Sequence, residues 1–219
     1  MAPTSPSTAR ASLCAWAEAV SATPSGPTAR HLPGFSAPAV GFEQPFAMLE
    51  ACHERVQRTL ALLARLRAHV RQHGADTDAR QAARDVLRYF DIAAPLHHQD
   101  EELHVFPLLR ANAPDGVQSL VVRLQQDHVC MTADWAAARA PLQALVDHAE
   151  GAEGPAPPFC FSPHDNAALD RFALRYGDHI AAEEGLAYPA AIQLLPPTAL
   201  AAMGREMAAR RGVVNLLSI

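Results

Sequence analysis

The segment His97-His-Gln-Asp-Glu-Glu-Leu-His-Val-Phe-Pro107 recurs in outline as His179-Ile-Ala-Ala-Glu-Glu-Gly-Leu-Ala-Tyr-Pro189. Each copy has a His and a Glu four residues apart, followed by an aromatic residue and a proline. Residues at positions i and i+4 lie on the same face of an α-helix. Each copy therefore predicts one imidazole and one carboxylate that point in the same direction, which is half of a two-metal site.

Apolar residues recur at helical spacing in four stretches, and the two copies lie on the second and fourth. The first stretch runs from Phe46 to Val70 and the third from Val117 to Leu145. The second carries Leu87, Phe90, Ala94, His97, Glu101, His104 and Leu108. The fourth carries Leu169, Phe172, Tyr176, His179, Glu183, Leu186 and Ala190. With no alternation typical of strands, the chain is predicted to be an all-α, antiparallel up-down-up-down four-helix bundle.

Two regions flank the predicted bundle. Residues 1–40 are rich in Pro, Ser and Ala, so they are predicted to form an N-terminal extension that buries little apolar surface. Residues 41–219 are predicted to hold the bundle and a short C-terminal helix, which begins at Pro196-Pro197 and ends near Gly212. Ser162 is predicted to cap the fourth helix.

Charge, hydropathy and cysteine spacing argue against several classes of protein. The net charge of -5 argues against nucleic-acid binding, and the run of Arg residues between Arg55 and Arg71 is typical of a solvated helix face. No apolar run approaches the roughly 20 residues that cross a bilayer, and the first residues do not resemble a signal peptide. Four widely spaced Cys indicate neither a zinc knuckle nor a disulfide framework. A soluble, cytoplasmic protein is predicted.

Side chains that can bind metal ions lie at positions where the helical stretches are expected to face the core of the bundle. A buried carboxylate without a partner is costly, so Glu101 and Glu183 require a compensating charge. A single His-x-x-x-Glu is a weak signal, but here the two copies are matched by one His on each remaining helix. The predicted ligands are His53, His97, Glu101, His128, His179 and Glu183. Such a set suits a pair of iron, manganese or zinc ions, which a carboxylate from each half can bridge.

These residues resemble the hemerythrin-like (HHE cation-binding) domain family over about residues 41–192. The segments that carry the resemblance are the two copies, Ala51-Cys-His53-Glu-Arg-Val56 and Asp127-His128. The resemblance implies a non-haem di-iron centre in a four-helix bundle, with the four His as terminal ligands and the two Glu as bridges. Oxygen-carrying members have a second His four residues along the third helix, where this chain has Thr132. That difference favours redox or sensing chemistry over oxygen storage.

Several residues near the predicted ligands keep more than one interpretation. His98 and His104 have no His counterpart in the second copy, which has Ile180 and Leu186. His104 is predicted one turn beyond Glu101, as an additional ligand, a hydrogen-bonding partner that orients Glu101, or a core residue. His98 is an additional ligand only if the metal lies near the bundle edge. Glu102 and Glu184 are interpreted as surface or helix-pairing carboxylates.

Two functions are compatible with these residues. The first is a di-iron protein that binds or senses O₂, NO or reactive oxygen species, or handles iron, in a redox or stress response. Its expected ligand is a small diatomic molecule or a peroxide, with neither nucleic acid nor membrane as a partner. The second is an enzyme at the same centre, either an oxidase or peroxidase or a protein that repairs iron centres.

Overall fold

All regular structure in the described part of the chain is helical. The computed structural model describes residues 40–148 and 159–213, and no strand occurs in these ranges. The all-α prediction is therefore confirmed. Residues 1–39 lie outside the described residues, so the domain boundary near residue 40 stays a prediction. Within the same ranges, no helix combines the length and apolar character needed to cross a membrane.

The described residues form four long helical stretches and a shorter C-terminal helix. The first stretch is α1 (Pro45–His73), and the second joins α2 (Thr77–Arg88), α3 (Ala94–Asp100) and α4 (Phe106–Asn112). The third is α5 (Asp115–Asp147). The fourth joins α6 (Pro163–Leu174), α7 (Tyr176–Ala182) and α8 (Tyr188–Leu194), and α9 (Pro197–Arg210) follows. Each stretch contains its predicted apolar residues, and the second begins at Thr77, ten residues before the predicted Leu87.

Local chemistry explains the helix ends. Gly74 ends α1 with a φ of 71°, a left-handed conformation that costs glycine little. At the start of α6, the Ser162 side chain accepts from the Asp165 backbone N–H, and the Asp165 side chain accepts from the Ser162 backbone N–H. The predicted Ser162 cap is therefore confirmed.

Three π-helical turns interrupt the second and fourth stretches, each two residues before a proline. The turns are Tyr89–Ala93, Glu101–Val105 and Glu183–Ala187, ahead of Pro95, Pro107 and Pro189. In the last two, the residue before the proline donates its backbone N–H to the carbonyl of the Glu five positions earlier. Proline lacks an N–H and its ring clashes with the carbonyl four residues back, so a wider turn relieves the conflict.

The π-helical turns change which side chains face the interior. Beyond each turn, the buried residues lie one position later in the sequence than predicted. Four residues that the sequence placed inward are exposed or only partly buried: His104, Leu108, Leu186 and Ala190. Their C-terminal neighbours are buried instead: Val105, Leu109, Ala187 and Ala191. The predictions that His104 and Leu186 face inward are therefore wrong, because they assumed 3.6 residues per turn and a π-helical turn adds one. Leu108 and Ala190 are only partly buried and pack against the apolar cluster that includes Val105 and Ala187.

Two apolar clusters occupy the interior, and the predicted ligands lie between them along the chain. One cluster includes Val56, Phe90, Met131 and Phe172. The other includes Leu49, Phe106, Leu124 and Tyr188. Along α1 and α5 the chain passes from the second cluster through a His to the first, and along the other two stretches it passes in the reverse order.

Helix α9 packs against α1 and holds a buried acid beside the predicted ligands. Gly204 lies so close to Phe42 that a Cβ there would be 2.0 Å from the Phe42 carbonyl oxygen. Arg210 Nη2 lies 2.6 Å from Asp100 Oδ1, and Arg211 Nη2 lies 2.7 Å from Asp100 Oδ2. Asp100 is fully buried and directly precedes Glu101, so α9 is tied to the helix that carries a predicted ligand.

Candidate metal centre

Four buried imidazoles meet in two pairs between the apolar clusters. His53 Nε2 on α1 lies 3.0 Å from His97 Nε2 on α3. His128 Nε2 on α5 lies 3.2 Å from His179 Nε2 on α7. Two facing ring nitrogens share at most one proton between them. At least one of the two facing nitrogens in each pair therefore carries no proton, and its lone pair can bind a cation.

Glu101 and Glu183 are fully buried, and each directs one oxygen toward each His pair. Glu183 Oε2 lies 3.2 Å from His53 Nε2, and Glu183 Oε1 lies 3.0 Å from His179 Nε2. Glu101 Oε1 lies 3.5 Å from His97 Nε2, and Glu101 Oε2 lies 3.4 Å from His128 Nε2. The structure thus brings all six predicted ligands together, with both carboxylates shared between the His pairs.

The donor set fits metal cations. Two ligands about 2.1 Å from an ion and at right angles to each other lie about 3 Å apart, close to the separations within the His pairs. Six buried side-chain atoms make no hydrogen bond of normal geometry with any described residue, and four of them belong to predicted ligands: His97 Nδ1, Glu101 Oε2, Glu183 Oε1 and Glu183 Oε2. Buried carboxylate oxygens without donors are costly, and cations at the His pairs would satisfy them.

The two carboxylates cannot both remain ionised at low cost without a cation. Burial and the charge of Glu183 raise the pKa of Glu101 well above its ordinary value. Burial also raises the pKa of Glu183, but the nearby imidazoles of His179 and His53 outweigh burial and leave it below its ordinary value. Burial and the charge of Glu183 therefore favour a proton on Glu101 in the metal-free site, and a bound cation would oppose that protonation.

Two further carboxylates lie within hydrogen-bonding distance of Nδ1, the ring nitrogen that points away from the centre, on two of the imidazoles. Glu184 Oε1 lies 2.8 Å from His53 Nδ1, and Glu102 Oε1 lies 3.0 Å from His128 Nδ1. A hydrogen bond at Nδ1 favours the tautomer that leaves the Nε2 lone pair free toward the centre. The interpretation of Glu102 and Glu184 as surface or helix-pairing groups missed this role. The doubled Glu in both copies was the sequence signal for it.

A family model connects this geometry to known proteins. The model described as the hemerythrin HHE cation-binding domain matches residues 44–191, a range that includes both His pairs and both shared carboxylates. The chain belongs to this hemerythrin HHE family. An uncharacterised protein of Haemophilus influenzae is 33% identical over 172 residues, which is 78% of this chain and 92% of that protein. Membership of a cation-binding family indicates that the chain binds a metal cation.

The aromatic residues before the matched prolines make the two halves of this hemerythrin-like centre unequal. The Tyr188 hydroxyl donates to Glu101 Oε1 and lies 3.4 Å from His53 Nε2. The Phe106 ring packs on His128, with ring centroids 5.4 Å apart. Burial and the charge of Glu101 raise the pKa of Tyr188 well above its ordinary value, so the hydroxyl keeps its proton and stays a donor. The sequence indicated the aromatic position but not this hydrogen bond.

His98 and His104 have different surroundings in the hemerythrin-like fold. The His98 ring stacks on His128, with centroids 4.0 Å apart and planes at 15°. Burial and the neighbouring His179 lower the pKa of His98 to about 4, so it is neutral. His104 Nε2 instead lies 2.9 Å from Arg210 Nη2. The prediction that His104 faces inward beside Glu101 is wrong, because the π-helical turn rotates it toward α9.

A cavity of about 340 Å³ opens beside His98 and His128. Its other walls include Phe90, Met131, Thr132, Trp135 and Tyr176. The Thr132 hydroxyl donates to the His128 backbone carbonyl at 2.9 Å, so this side chain is engaged by its own helix. The hemerythrin-like centre therefore has a largely apolar approach on the side of the His128–His179 pair.

Proposed function

We propose that this hemerythrin-like chain binds two iron ions, one at each His pair, with Glu101 and Glu183 as bridges. The observation that carries the proposal is the sharing of each carboxylate between both pairs. Imidazole and carboxylate ligands together suit iron, with manganese and zinc as substitutes. The opposite order of the apolar clusters along successive stretches supports an antiparallel up-down-up-down four-helix bundle around the ions.

The proposed role is to bind or sense O₂, NO or reactive oxygen species, or to handle iron, in a cytoplasmic redox or stress response. Bound iron supplies affinity for small diatomic or peroxide ligands and a change of oxidation state. The chain supplies the surroundings for that chemistry. Apolar clusters on both sides limit water, Glu102 and Glu184 fix two imidazoles, and Tyr188 holds a hydroxyl proton at Glu101.

Anaerobic reconstitution with ferrous iron tests this proposal. The full chain is expected to retain two irons after desalting and to develop near-ultraviolet absorption bands when air is admitted. A spectral change that reverses when O₂ or NO is removed supports binding or sensing. A chain that retains no iron contradicts the proposal.

An oxidase or peroxidase is the second candidate, and the cavity beside His98 and His128 favours it. Its volume of about 340 Å³ exceeds what a diatomic ligand needs and lies within the range of small-molecule sites. Repeated consumption of hydrogen peroxide by the iron-loaded chain, with a reductant present, would establish turnover. A single oxidation without further consumption would exclude that activity for peroxide.

Glu102 and Glu184 provide a prediction about metal affinity. Glu102→Gln and Glu184→Gln are each expected to weaken metal binding by about 10–100-fold, because loss of a carboxylate behind a ligating imidazole typically has this effect. Competition with a coloured chelator measures the change. Glu50→Gln is the matched control, since Glu50 is exposed on α1 one turn before His53. If all three variants bind metal like the wild type, the two carboxylates do not support the imidazoles.

A further inference from the structure

The cavity beside His98 and His128 has walls that suit an aromatic molecule. Phe90 and Trp135 line it, with ring centroids 5.1 Å apart and planes at 45°, and Met131 lines it as well. Aromatic rings and thioethers make favourable contacts with the face or edge of another ring. The volume of about 340 Å³ accommodates a molecule of one or two rings.

Two polar side chains on the cavity wall have no hydrogen-bonding partner among the described residues. Tyr176 is only 4% exposed, yet its hydroxyl makes no hydrogen bond with any of them. The ring nitrogens of His98 make none either. A buried polar group without a partner costs free energy, and a hydroxyl on a bound molecule would recover it. These two side chains therefore favour a ring that carries hydroxyl groups.

The charge of the cavity wall disfavours anions. Among the described residues that line the cavity, none is Arg or Lys, whereas Glu102 contributes a carboxylate. A ring with a carboxylate or phosphate would bring a second negative charge and find no cation to pair with it. A phenolic hydroxyl has an ordinary pKa of about 10 and is uncharged at neutral pH, so it avoids this cost.

We propose that this cavity binds a neutral phenol or hydroquinone of one or two rings, with a hydroxyl group hydrogen-bonded to Tyr176. The second hydroxyl of a hydroquinone can bond His98. Phenols and hydroquinones are the class of molecule that combines an aromatic ring, a hydroxyl group and no charge. Binding of the ring needs no metal ion, so it does not depend on iron at the centre.

The role of the bound molecule rests on the proposed function, in its oxidase or peroxidase form. A hydroquinone in this cavity lies beside His128, a predicted ligand, and can serve as the electron donor. It loses two electrons and its two hydroxyl protons and becomes a quinone. Hydrogen peroxide gains the two electrons and two protons and becomes two molecules of water. The reductant that peroxide turnover requires is thereby assigned to a chemical class.

NMR titration of the ¹⁵N-labelled full chain, without added metal, tests the binding site. The reporter is the indole N–H of Trp135, which donates to Asp91 Oδ1 at 2.9 Å and is assigned with Trp135→Phe. The probes p-cresol, toluene and p-toluate share one ring and differ in a single group. We expect p-cresol to shift the reporter and to bind about 2–12-fold more tightly than toluene, because it adds one hydrogen bond. We expect p-toluate to bind at least about tenfold more weakly than p-cresol.

Tyr176→Phe removes only the hydroxyl that is proposed to recognise the probe. It is expected to abolish the preference for p-cresol over toluene and to leave the affinity for toluene unchanged. Tyr89→Phe is the matched control, because the Tyr89 hydroxyl donates to the Cys52 carbonyl at 3.0 Å and Tyr89 does not line this cavity. It is expected to keep the preference for p-cresol.

Three results would overturn the inference. The reporter may respond to none of the probes, the wild type may bind toluene or p-toluate as tightly as p-cresol, or Tyr176→Phe may keep the full preference for p-cresol. The comparison of probes in the wild type decides the question even if Tyr176→Phe does not fold. Because the titration uses no iron, a chain that binds p-cresol but retains no iron contradicts the proposed function and leaves the binding site standing.

Discussion

Replacing Glu101 by Gln is expected to remove bound metal from both His pairs while leaving the metal-free fold intact. Glu101 Oε1 lies 3.5 Å from His97 Nε2 and Glu101 Oε2 lies 3.4 Å from His128 Nε2, so a single side chain serves both pairs. Gln is neutral and keeps only one oxygen. The loss of affinity should exceed the roughly 10–100-fold expected for Glu102→Gln and Glu184→Gln, which alter only outer hydrogen bonds.

The metal-free Glu101→Gln chain is expected to be at least as stable as the metal-free wild type at neutral pH. Burial and the charge of Glu183 raise the pKa of Glu101 in the folded state. A carboxyl of this kind loses its stabilising contribution as pH rises from the unfolded pKa of about 4.3 through the folded pKa. Gln matches the shape of the protonated carboxyl and does not titrate, so the variant avoids this loss.

Metal analysis after desalting and thermal unfolding of the metal-free chains measure the two effects separately. Glu50→Gln is the control, since Glu50 is exposed on α1, and it is expected to retain both ions after desalting. A Glu101→Gln chain with unchanged metal content would show that Glu101 is not a shared ligand. A variant that is much less stable without metal would show instead that Glu101 mainly supports the fold.

The sequence was sufficient to predict the helical stretches and the six residues that meet at their centre. Both predictions rest on periodicity, because residues three or four apart share a helix face whatever the surrounding packing. His53 and His128 could be joined to the two copies because each lies on an apolar stripe that must face inward. The convergence of His53, His97, Glu101 and Glu183 in space follows from that single constraint.

The prediction from sequence was wrong where the number of residues per helical turn changes. The π-helical turns at Glu101–Val105 and Glu183–Ala187 add one residue each, so Val105 and Ala187 replace His104 and Leu186 at the inward positions. The proline six residues after each Glu predicts a kink in the helix just past the ligands. The backbone hydrogen bonds show a π-helical turn ahead of each proline, and this turn determines which residues beyond the ligands are buried.

The differences between the two halves of the centre could be recognised only from the positions of side chains in the structure. Tyr188 and Phe106 occupy matching places in the sequence, yet only Tyr188 can donate a hydrogen bond to Glu101. Glu102 lies next to Glu101 in the chain but bonds His128 on another helix. Such contacts depend on how adjacent helices are rotated and spaced, and a pattern within one helix does not contain that information.

Removing both Arg210 and Arg211 is expected to lower the free energy of unfolding by about 3–5 kcal/mol, because it leaves a buried carboxylate without a partner. Asp100 is fully buried, and Arg210 and Arg211 lie 2.6 and 2.7 Å from its two oxygens. For a chain of this size the change corresponds to a fall of about 6–20 °C in Tm. Thermal and denaturant unfolding of the Arg210→Ala/Arg211→Ala chain measure it.

The origin of this loss can be separated by changing Asp100 itself. Asp100→Asn in the wild-type background leaves two guanidinium groups that are already 17% and 18% exposed and can turn toward water, so its cost is expected to be smaller. Asp100→Asn in the Arg210→Ala/Arg211→Ala background removes the unpaired charge and is expected to recover a large part of the stability. If the triple variant is no more stable than the double variant, the loss comes from the packing of the Arg side chains on α9 and Phe42 rather than from the buried charge.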